Sequence, residues 1–447
     1  MNHGAAVRVA ALAIVMGAAL AVAARPAPAQ PAPSPEAPAS APAEPAARVA
    51  PARDYLAEVR ANFTPENRAY AARRVALAFL EPLWSLLVCL AILFSGLSAR
   101  IRDLAHAAGR GRYLRVLVYF ALFSVATFVL SFPLSWYQGF ALEHQYGLSN
   151  QTFGAWLVDE FKALGLSLAF LGVLPVVAVS YWAIAKSPRR WWLWLTALSF
   201  PVTLAGVLLG PLVFEPAFNK FTPLKDKHLE RRILDLAEKA GIPGRKVVEA
   251  DKSAQTKKFN AYVSGFGASQ RIVLWDTTLE GMTEDEILCV MGHEMGHYVL
   301  GHIWKGILLT VALSALLFYL SYVSTRGAVA RFGGRWGFTE LSDVASMPLI
   351  VATIGLASFV AQPLTNSFSR AIEHEADQFG LEITQLSDAA ARAFLKLGSQ
   401  NKSNPEPNPL VKAFLYTHPP LIERIRFALE YHPWTEGKPN AKFHGRS

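Results

Sequence analysis

His293, Glu294 and His297 form an H-E-x-x-H sequence, a pattern typical of zinc hydrolases. Histidines at this spacing lie one turn apart on the same face of a helix, so both imidazoles can bind one Zn²⁺ ion. Glu294 then lies beside the water that the metal would activate and can accept its proton. Because catalytic zinc sites use three protein ligands, the pattern predicts a third ligand elsewhere in the chain.

The residues before the motif place it on a helix. Thr283, followed three residues later by Glu286, predicts a capping box, and Glu284 and Asp285 favour the positive end of a helix. The same string can also arise by accident on an amphipathic helix whose histidines are only solvated or paired. The capped helical context favours the metal site over this alternative.

The third ligand must come from a distant part of the chain. The metzincin spacing requires glycine at position 300 and histidine at position 303, but Leu300 and Ile303 stand there. Glu373 and Asp377 are four residues apart and share one helical face with Arg370. One carboxylate can bind the metal, while the other can orient a ligand histidine or transfer protons. The alternative for this stretch is a solvated charged helix.

A small sheet is predicted next to the motif helix. Residues 246–250 and 271–275 have the composition of short strands, and residues 260–263 form a third strand between them. An edge strand can hold an extended peptide by backbone hydrogen bonds, which makes Asn260 and Tyr262 candidate substrate-binding residues. The alternative is a strand that pairs only within the protein.

Several other side chains could take part in catalysis or metal binding, but each also has a purely structural interpretation. Cys289 shares the face of the first motif histidine, but we expect a small buried thiol. His418 could contact substrate or a developing oxyanion, or could simply precede a helix. His302 is predicted on the opposite side of the motif helix at the membrane interface, and His374 and Glu375 are predicted at the surface.

The composition indicates a membrane protein. Of 447 residues, 52% are hydrophobic and only 17% are charged. The net charge of +9 is spread among short loops between apolar runs, so we expect no nucleic-acid partner. The two cysteines, Cys89 and Cys289, imply no disulfide framework.

Apolar runs and low-complexity segments divide the chain. Residues 1–24 contain an apolar run, 7–24, that suits either a signal peptide or a first span, and residues 25–52 form a Pro/Ala-rich tether. An N-terminal membrane domain is predicted over 53–214 and a metallopeptidase domain over 215–447. Six further runs have membrane-spanning length: 75–98, 114–136, 163–185, 191–214, 303–323 and 347–364.

Two segments near these runs are predicted outside the bilayer. Residues 54–74 are charged and predict an interfacial helix that is broken around Thr64 and Pro65. Residues 143–162 are polar and predict an ordered loop. The overall prediction is a mainly α, polytopic helical membrane protein with a zincin-like α+β zinc domain.

Together, these residues resemble the CAAX prenyl protease 1 family of integral-membrane zinc metalloendopeptidases. The resemblance covers nearly all of the chain after the tether. It depends on residues 215–224 (EPAFNKFTPL), 260–262 (NAY) and 271–277 (RIVLWDT), the H-E-x-x-H, Ser369-Arg370 with Glu373 and Asp377, and His418-Pro419.

The resemblance implies roles for individual residues. It implies one zinc ion per chain bound by His293, His297 and Glu373, with Glu294 as catalytic base and Asp377 as proton donor. It also implies seven spans that enclose an intramembrane chamber. The seventh span would have to be residues 7–24, and the tether after it departs from the family pattern.

The function that follows is membrane-embedded peptide hydrolysis. The resemblance implies removal of the C-terminal tripeptide from prenylated proteins. In a bacterium, non-prenylated membrane peptides or misfolded membrane proteins are the broader alternative. A catalytically silent scaffold or chaperone, a site-2-type protease and a metal transporter are further alternatives. A complete set of ligands, base and acid argues against the scaffold, and the few ionisable residues in the spans argue against the transporter.

The basic loops predict an orientation in the membrane. Counting spans places the loops near Arg100, Lys186 and Arg326 on one side and the zinc domain on the other. The positive-inside rule therefore places the zinc domain outside the cytoplasm, in what we expect to be a bacterial inner membrane. The family resemblance implies a cytoplasmic site instead.

Overall fold

The computed structural model describes residues 53–109, 111–173, 175–242, 246–265 and 270–444. The predicted N-terminal span or signal peptide and the Pro/Ala-rich tether lie outside these residues. The described chain is mainly helical with one small sheet, which confirms the predicted fold class.

Within the described ranges, five helices are long and apolar enough to cross a membrane, and a bent helix pair makes a sixth candidate. The pair meets at 42° next to Pro175, so the predicted span 163–185 consists of two helices rather than one. Proline favours such a break because it lacks the backbone N–H that a continuous helix requires. The six candidates are Pro65–Phe94, Arg112–Gln145, Phe153–Gly172 with Val176–Lys186, Trp191–Phe218, His302–Trp336 and Val344–Thr384.

The helices before the sheet form most of the membrane half. They are α1 (Tyr55–Ala61), α2 (Pro65–Phe94), α3 (Leu97–Ala108), α4 (Arg112–Trp136), α5 (Leu142–Gln145), α6 (Phe153–Leu168), α7 (Val176–Lys186), α8 (Trp191–Leu209) and α9 (Glu215–Phe218). Short π-helical segments follow α4, α6 and α8 at Tyr137–Ala141, Ala169–Val173 and Gly210–Phe214.

The remaining helices surround the sheet or follow it. They are α10 (Lys227–Lys239), α11 (Asp276–Gly281), α12 (Glu284–Val299), α13 (His302–Trp336), α14 (Met347–Thr384), α15 (Ser387–Gln400), α16 (Pro409–Leu415) and α17 (Leu421–Glu430). Short 3₁₀ turns lie at Val344–Ser346 and Pro433–Glu436. Helix α14 is continuous, so the predicted span 347–364 runs directly into the segment that carries Glu373 and Asp377.

Two predictions about helix positions are wrong in detail. The predicted loop 143–162 contains the end of one helix and the start of α6, because the Thr152 side chain accepts a hydrogen bond from the Ala155 amide and caps a new helix. The predicted break at Thr64 is confirmed, since Thr64 caps α2. However, residues 65–74 are the first turns of a spanning helix and not a separate interfacial helix.

The sheet has four strands in the order β1-β2-β4-β3. Strand β2 (Lys246–Ala250) pairs in parallel with β4 (Arg271–Trp275), and β3 (Ala261–Ser264) pairs antiparallel with β4 at one edge. All three were predicted from sequence. The other edge, β1 (Phe221–Pro223), was missed because three residues that end in proline carry almost no strand signal.

The sheet and α12 share one apolar core, which fixes the motif helix against the strands. Ile233 of α10, Ile272 and Leu274 of β4, and Met291 and Met295 of α12 are all buried in it. Because Met291 and Met295 occupy the core face of α12, the motif histidines are left on the face turned towards α14.

The three basic loops lie at one end of the molecule. Arg102, after α2, donates hydrogen bonds to the Gly337 carbonyl at 2.7 Å and to Asp343 at 2.8 Å, both after α13. At the other end of α2, Glu66 forms an ion pair with Lys402, just after α15. A 30-residue helix is about 45 Å long, so α2 separates the contacts of Arg102 from those of Glu66 by about the thickness of a membrane.

Candidate metal centre

The motif helix begins with the predicted capping box. The Thr283 amide donates to Glu286 Oε2 at 2.8 Å, and the Glu286 amide donates to Thr283 Oγ1 at 3.4 Å. Glu286 is itself buried and paired with Arg392 and Lys396, so the helix start is fixed to α15. The helix ends at Val299, which gives the histidines a rigid support.

The structure brings His293, His297 and Glu373 together. The two Nε2 atoms of the histidines are 3.1 Å apart. Glu373 Oε2 is 3.1 Å from His293 Nε2, and Glu373 Oε1 is 3.6 Å from His297 Nε2. One donor atom from each residue lies within 4.8 Å of the others, a spacing that one metal ion can bridge.

The chemistry of these donors fits a metal. Glu373 is only 1% exposed, and its Oε2 atom lies 3.1 Å from Nε2 of both His293 and His418 without a hydrogen bond of good geometry to either. A buried carboxylate oxygen surrounded by imidazole nitrogens and lacking a well-formed hydrogen bond is suited to a shared cation. Two imidazole nitrogens and one carboxylate oxygen form a ligand set used by catalytic metal sites.

Glu294 lies next to this cluster on the same helix. Burial raises the pKa of Glu294, and the nearby histidines oppose the shift. A raised carboxylate pKa brings the group nearer to the range in which it can exchange protons at neutral pH. This environment suits a general base.

Asp377 lies on the other side of His293. Its Oδ1 accepts a hydrogen bond from His293 Nδ1 at 2.8 Å, and its Oδ2 accepts one from Arg424 Nε at 2.8 Å. Both carboxylate oxygens of Asp377 are therefore hydrogen-bonded, and Asp377 contacts the Nδ1 edge of the His293 ring, opposite the Nε2 atom that faces Glu373. Of the two roles open from sequence, orientation of a histidine fits this geometry better than proton donation to substrate. Arg424 was missed because it lies on α17, far away in sequence.

The prediction for His302 is wrong. His302 was expected on the opposite side of the motif helix, but it is buried and its Nδ1 lies 2.9 Å from Nδ1 of His297. The helical count does not apply because α12 ends at Val299 and Gly301 adopts a left-handed φ of 67°. This turn brings His302, the first residue of α13, back towards the motif.

Glu375 was predicted to be a surface residue, but it makes more contacts with buried and charged side chains than that prediction implies. It accepts hydrogen bonds from His302, Lys305 and Lys442 and is only half exposed, whereas His374 is exposed as expected. The side chain of His374 packs on the ring of Phe427.

The three candidate substrate residues, Asn260, Tyr262 and His418, differ in how close they lie to the cluster. His418 reaches it, with Nε2 at 3.1 Å from Glu373 Oε2. Strand β3 lies beside α12 at the sheet edge, and the Asn260 carbonyl before it accepts a hydrogen bond from the Trp275 amide. The Tyr262 hydroxyl donates to Glu215 instead of pointing to the metal cluster. Cys289 is buried, and its thiol contacts the Leu386 carbonyl, so it does not join the cluster.

Sequence profiles of known families match both halves of the chain. The profile described as peptidase family M48 matches residues 223–432. The profile described as CAAX prenyl protease N-terminal, five membrane helices, matches residues 55–220.

Relatives with similar sequences cover most of the chain. The uncharacterized metalloprotease YhfN of Bacillus subtilis is 36% identical over 75% of this chain and 78% of its own length. The CAAX prenyl protease 1 homolog of Arabidopsis thaliana is 30% identical over 81% of this chain and 86% of its own. The crystal structure of S. mikatae Ste24p superposes with a TM-score of 0.71 at 25% identity, covering 83% of this chain and 89% of that chain.

The fold and the donor cluster, taken with these matches, define a multi-pass membrane metalloendopeptidase. The metal motif lies on α12, which leads into the candidate span α13, and Glu373 lies on the candidate span α14. Within that class, the chain belongs to the CAAX prenyl protease 1 family of M48 peptidases.

Proposed function

We propose that the metal is zinc and that His293, His297 and Glu373 are its protein ligands. The observation that carries this proposal is the convergence of one donor atom from each of His293, His297 and the buried Glu373 carboxylate within 4.8 Å. Zinc held by these three residues would supply Lewis-acid chemistry, lowering the pKa of a water molecule and polarising a peptide carbonyl. The complete donor set argues against the alternative of a catalytically silent scaffold.

Three further residues near the ligands have separate roles in proton transfer, ligand orientation and substrate contact. Glu294 accepts the proton of the attacking water, since burial raises its pKa towards neutrality. Asp377 holds His293 through Nδ1 and keeps Nε2 directed at the cluster. His418 is half exposed and reaches the cluster from α17's leading loop, so it faces the position of the scissile carbonyl or the leaving amine.

The free edge of β3 binds the extended substrate. This strand pairs with β4 on one side only, so the backbone groups on its other side are available to a peptide. Asn260 precedes this edge, and Tyr262 lies in it with its hydroxyl held by Glu215. The peptide backbone is thereby laid alongside the motif helix.

The substrate is the C-terminal part of a membrane-associated, prenylated peptide, from which a tripeptide is released. The relatives named CAAX prenyl protease 1 support this specificity. A cavity of about 310 Å³ next to Pro419 also supports it, because Arg370 and Lys412 line it with a single acidic residue, Glu423, which pairs with Lys412. The guanidinium of Arg424, at the same wall, is held by Asp377. Such a surface suits the terminal carboxylate of a peptide.

The protein resides in a bacterial inner membrane with the metal centre on the non-cytoplasmic side. The grouping of the basic loops at the opposite end supports this orientation. In spheroplasts, a membrane-impermeant maleimide should label Glu436→Cys but not Glu340→Cys, which is exposed at the basic end. The reverse pattern would place the site in the cytoplasm.

The central experiment measures zinc content and cleavage of a quenched prenylated CAAX peptide by purified protein. Wild type should bind about one zinc and cleave the peptide. Glu294→Ala should keep the metal and lose cleavage, and Glu373→Ala should lose both. Glu340→Ala, a remote exposed carboxylate, should change neither. Zinc without cleavage of this peptide, but with cleavage of non-prenylated membrane peptides, would favour a quality-control protease.

A further inference from the structure

A chain of hydrogen bonds leads from His297 to the protein surface. Nδ1 of His297 lies 2.9 Å from Nδ1 of His302, and Nε2 of His302 lies 3.1 Å from Glu375 Oε2. The same Glu375 oxygen accepts from Lys305 at 2.9 Å, and its other oxygen accepts from Lys442 at 2.9 Å. The chain therefore joins α12, α13, α14 and the C-terminal segment.

The direction of each hydrogen bond in this series is fixed by the metal at one end and by the Glu375 carboxylate at the other. If His297 binds the metal through Nε2, its Nδ1 carries the hydrogen and donates to Nδ1 of His302. His302 must then carry its own hydrogen on Nε2, where the Glu375 carboxylate accepts it. A single tautomer of each ring satisfies every atom in the series.

Both the burial and the backbone around His302 show that it is built into the site. The residue is 4% exposed, and its ring packs edge-on against that of His297 with centroids 5.0 Å apart. The left-handed Gly301 is what turns the chain so that His302 can reach back. A histidine that served only as an interfacial residue would need none of these features.

We propose that His302, held by Glu375, is a positioning residue that fixes the tautomer and ring orientation of His297. It plays for His297 the part that Asp377 plays for His293. The inference rests on the proposed role of His297 as a ligand. Lys305 and Lys442 steady the Glu375 carboxylate, so the C-terminal segment around Lys442 contributes to the metal centre from a distance.

The test compares His302→Leu, which fills the space without polar atoms, with His302→Asn, whose side-chain oxygen can replace Nδ1 as acceptor. Zinc affinity of each full-length variant is measured by competition with a chelator, and cleavage is followed separately. We expect His302→Leu to bind zinc about 10- to 100-fold more weakly, as for other residues that orient metal ligands. His302→Asn should recover a large part of this loss. Glu375→Gln should give a smaller loss.

The control is His228→Leu, which removes an exposed histidine that also pairs with a carboxylate, Glu284, far from the cluster. It should leave zinc affinity unchanged. Unchanged zinc affinity in His302→Leu would overturn the inference while the proposed function stands. Equal losses in the Leu and Asn variants, with equal falls in Tm, would assign His302 a purely structural role. If His297→Ala binds zinc as wild type does, the proposed ligand set itself fails.

Discussion

Gly380 of α14 packs directly against the backbone of His293 in α12. A Cβ atom at position 380 would lie 2.8 Å from the His293 amide nitrogen, and Gly292 is close on the same contact. The two helices that carry the candidate ligands thus touch backbone to backbone. Their separation sets how far Glu373 stands from the histidines.

We expect Gly380→Ala to damage the metal centre without removing any donor. The added methyl group must push α14 away from α12, at a cost of about 1–3 kcal/mol for overpacking. Zinc affinity should fall together with the unfolding midpoint in mild detergent. Gly355→Ala on the same helix meets no atom within 4 Å and should be neutral or slightly stabilising. Full zinc affinity in Gly380→Ala would show that the helices can separate without disturbing the site.

Arg424 is expected to matter through its partner and not through contact with substrate. Arg424→Leu leaves Asp377 buried without its cation, which typically costs about 3–5 kcal/mol. The variant should therefore be strongly destabilised and bind zinc weakly, because His293 loses its support. Arg426→Leu, two residues along the same helix and exposed, is the matched control. Wild-type unfolding and zinc binding in Arg424→Leu would contradict a positioning role for Asp377.

Local signals predicted most of the fold. The capping box at Thr283, the apolar runs and the three predicted strands each depend on residues close together in sequence. They were found where expected, except that the span 163–185 is broken beside Pro175. A third ligand could be anticipated because a two-histidine motif demands one, and helical spacing limited the candidates to Glu373 and Asp377. The family resemblance was needed to choose Glu373.

Long-range contacts carried no such signal. Arg424 reaches Asp377 from another helix, and no spacing rule connects them. His302 was misplaced because a helical count was continued through Gly301, where the chain turns. A glycine just after a helical pattern is a termination signal, so this error could have been avoided from sequence.

Cys289 provides a prediction about pH and reactivity. Burial raises the pKa of its thiol to about 12, so at pH 8 only roughly one molecule in ten thousand carries the reactive thiolate. In a Cys89→Ser background, iodoacetamide should label Cys289 very slowly at pH 8 and quickly after denaturation. Addition of a chelator should not change the rate in the folded protein. Rapid labelling on metal removal would instead point to a thiol that touches the metal.

The basic cavity next to Pro419 predicts a preference for a free C-terminal carboxylate. A prenylated peptide acid and its C-terminal amide differ only in the charge that Arg370 and Lys412 would meet. A hydrogen bond to a charged group contributes about 1.5–3 kcal/mol, so the amide should show at least a tenfold lower kcat/KM. Lys412→Met should narrow this difference, because it removes one of the cations, whereas Lys438→Met at the exposed C-terminal end should leave it intact. Equal kcat/KM for acid and amide would mean that the enzyme does not bind the terminal carboxylate. It would then be an internal endopeptidase that binds substrate residues on both sides of the scissile bond.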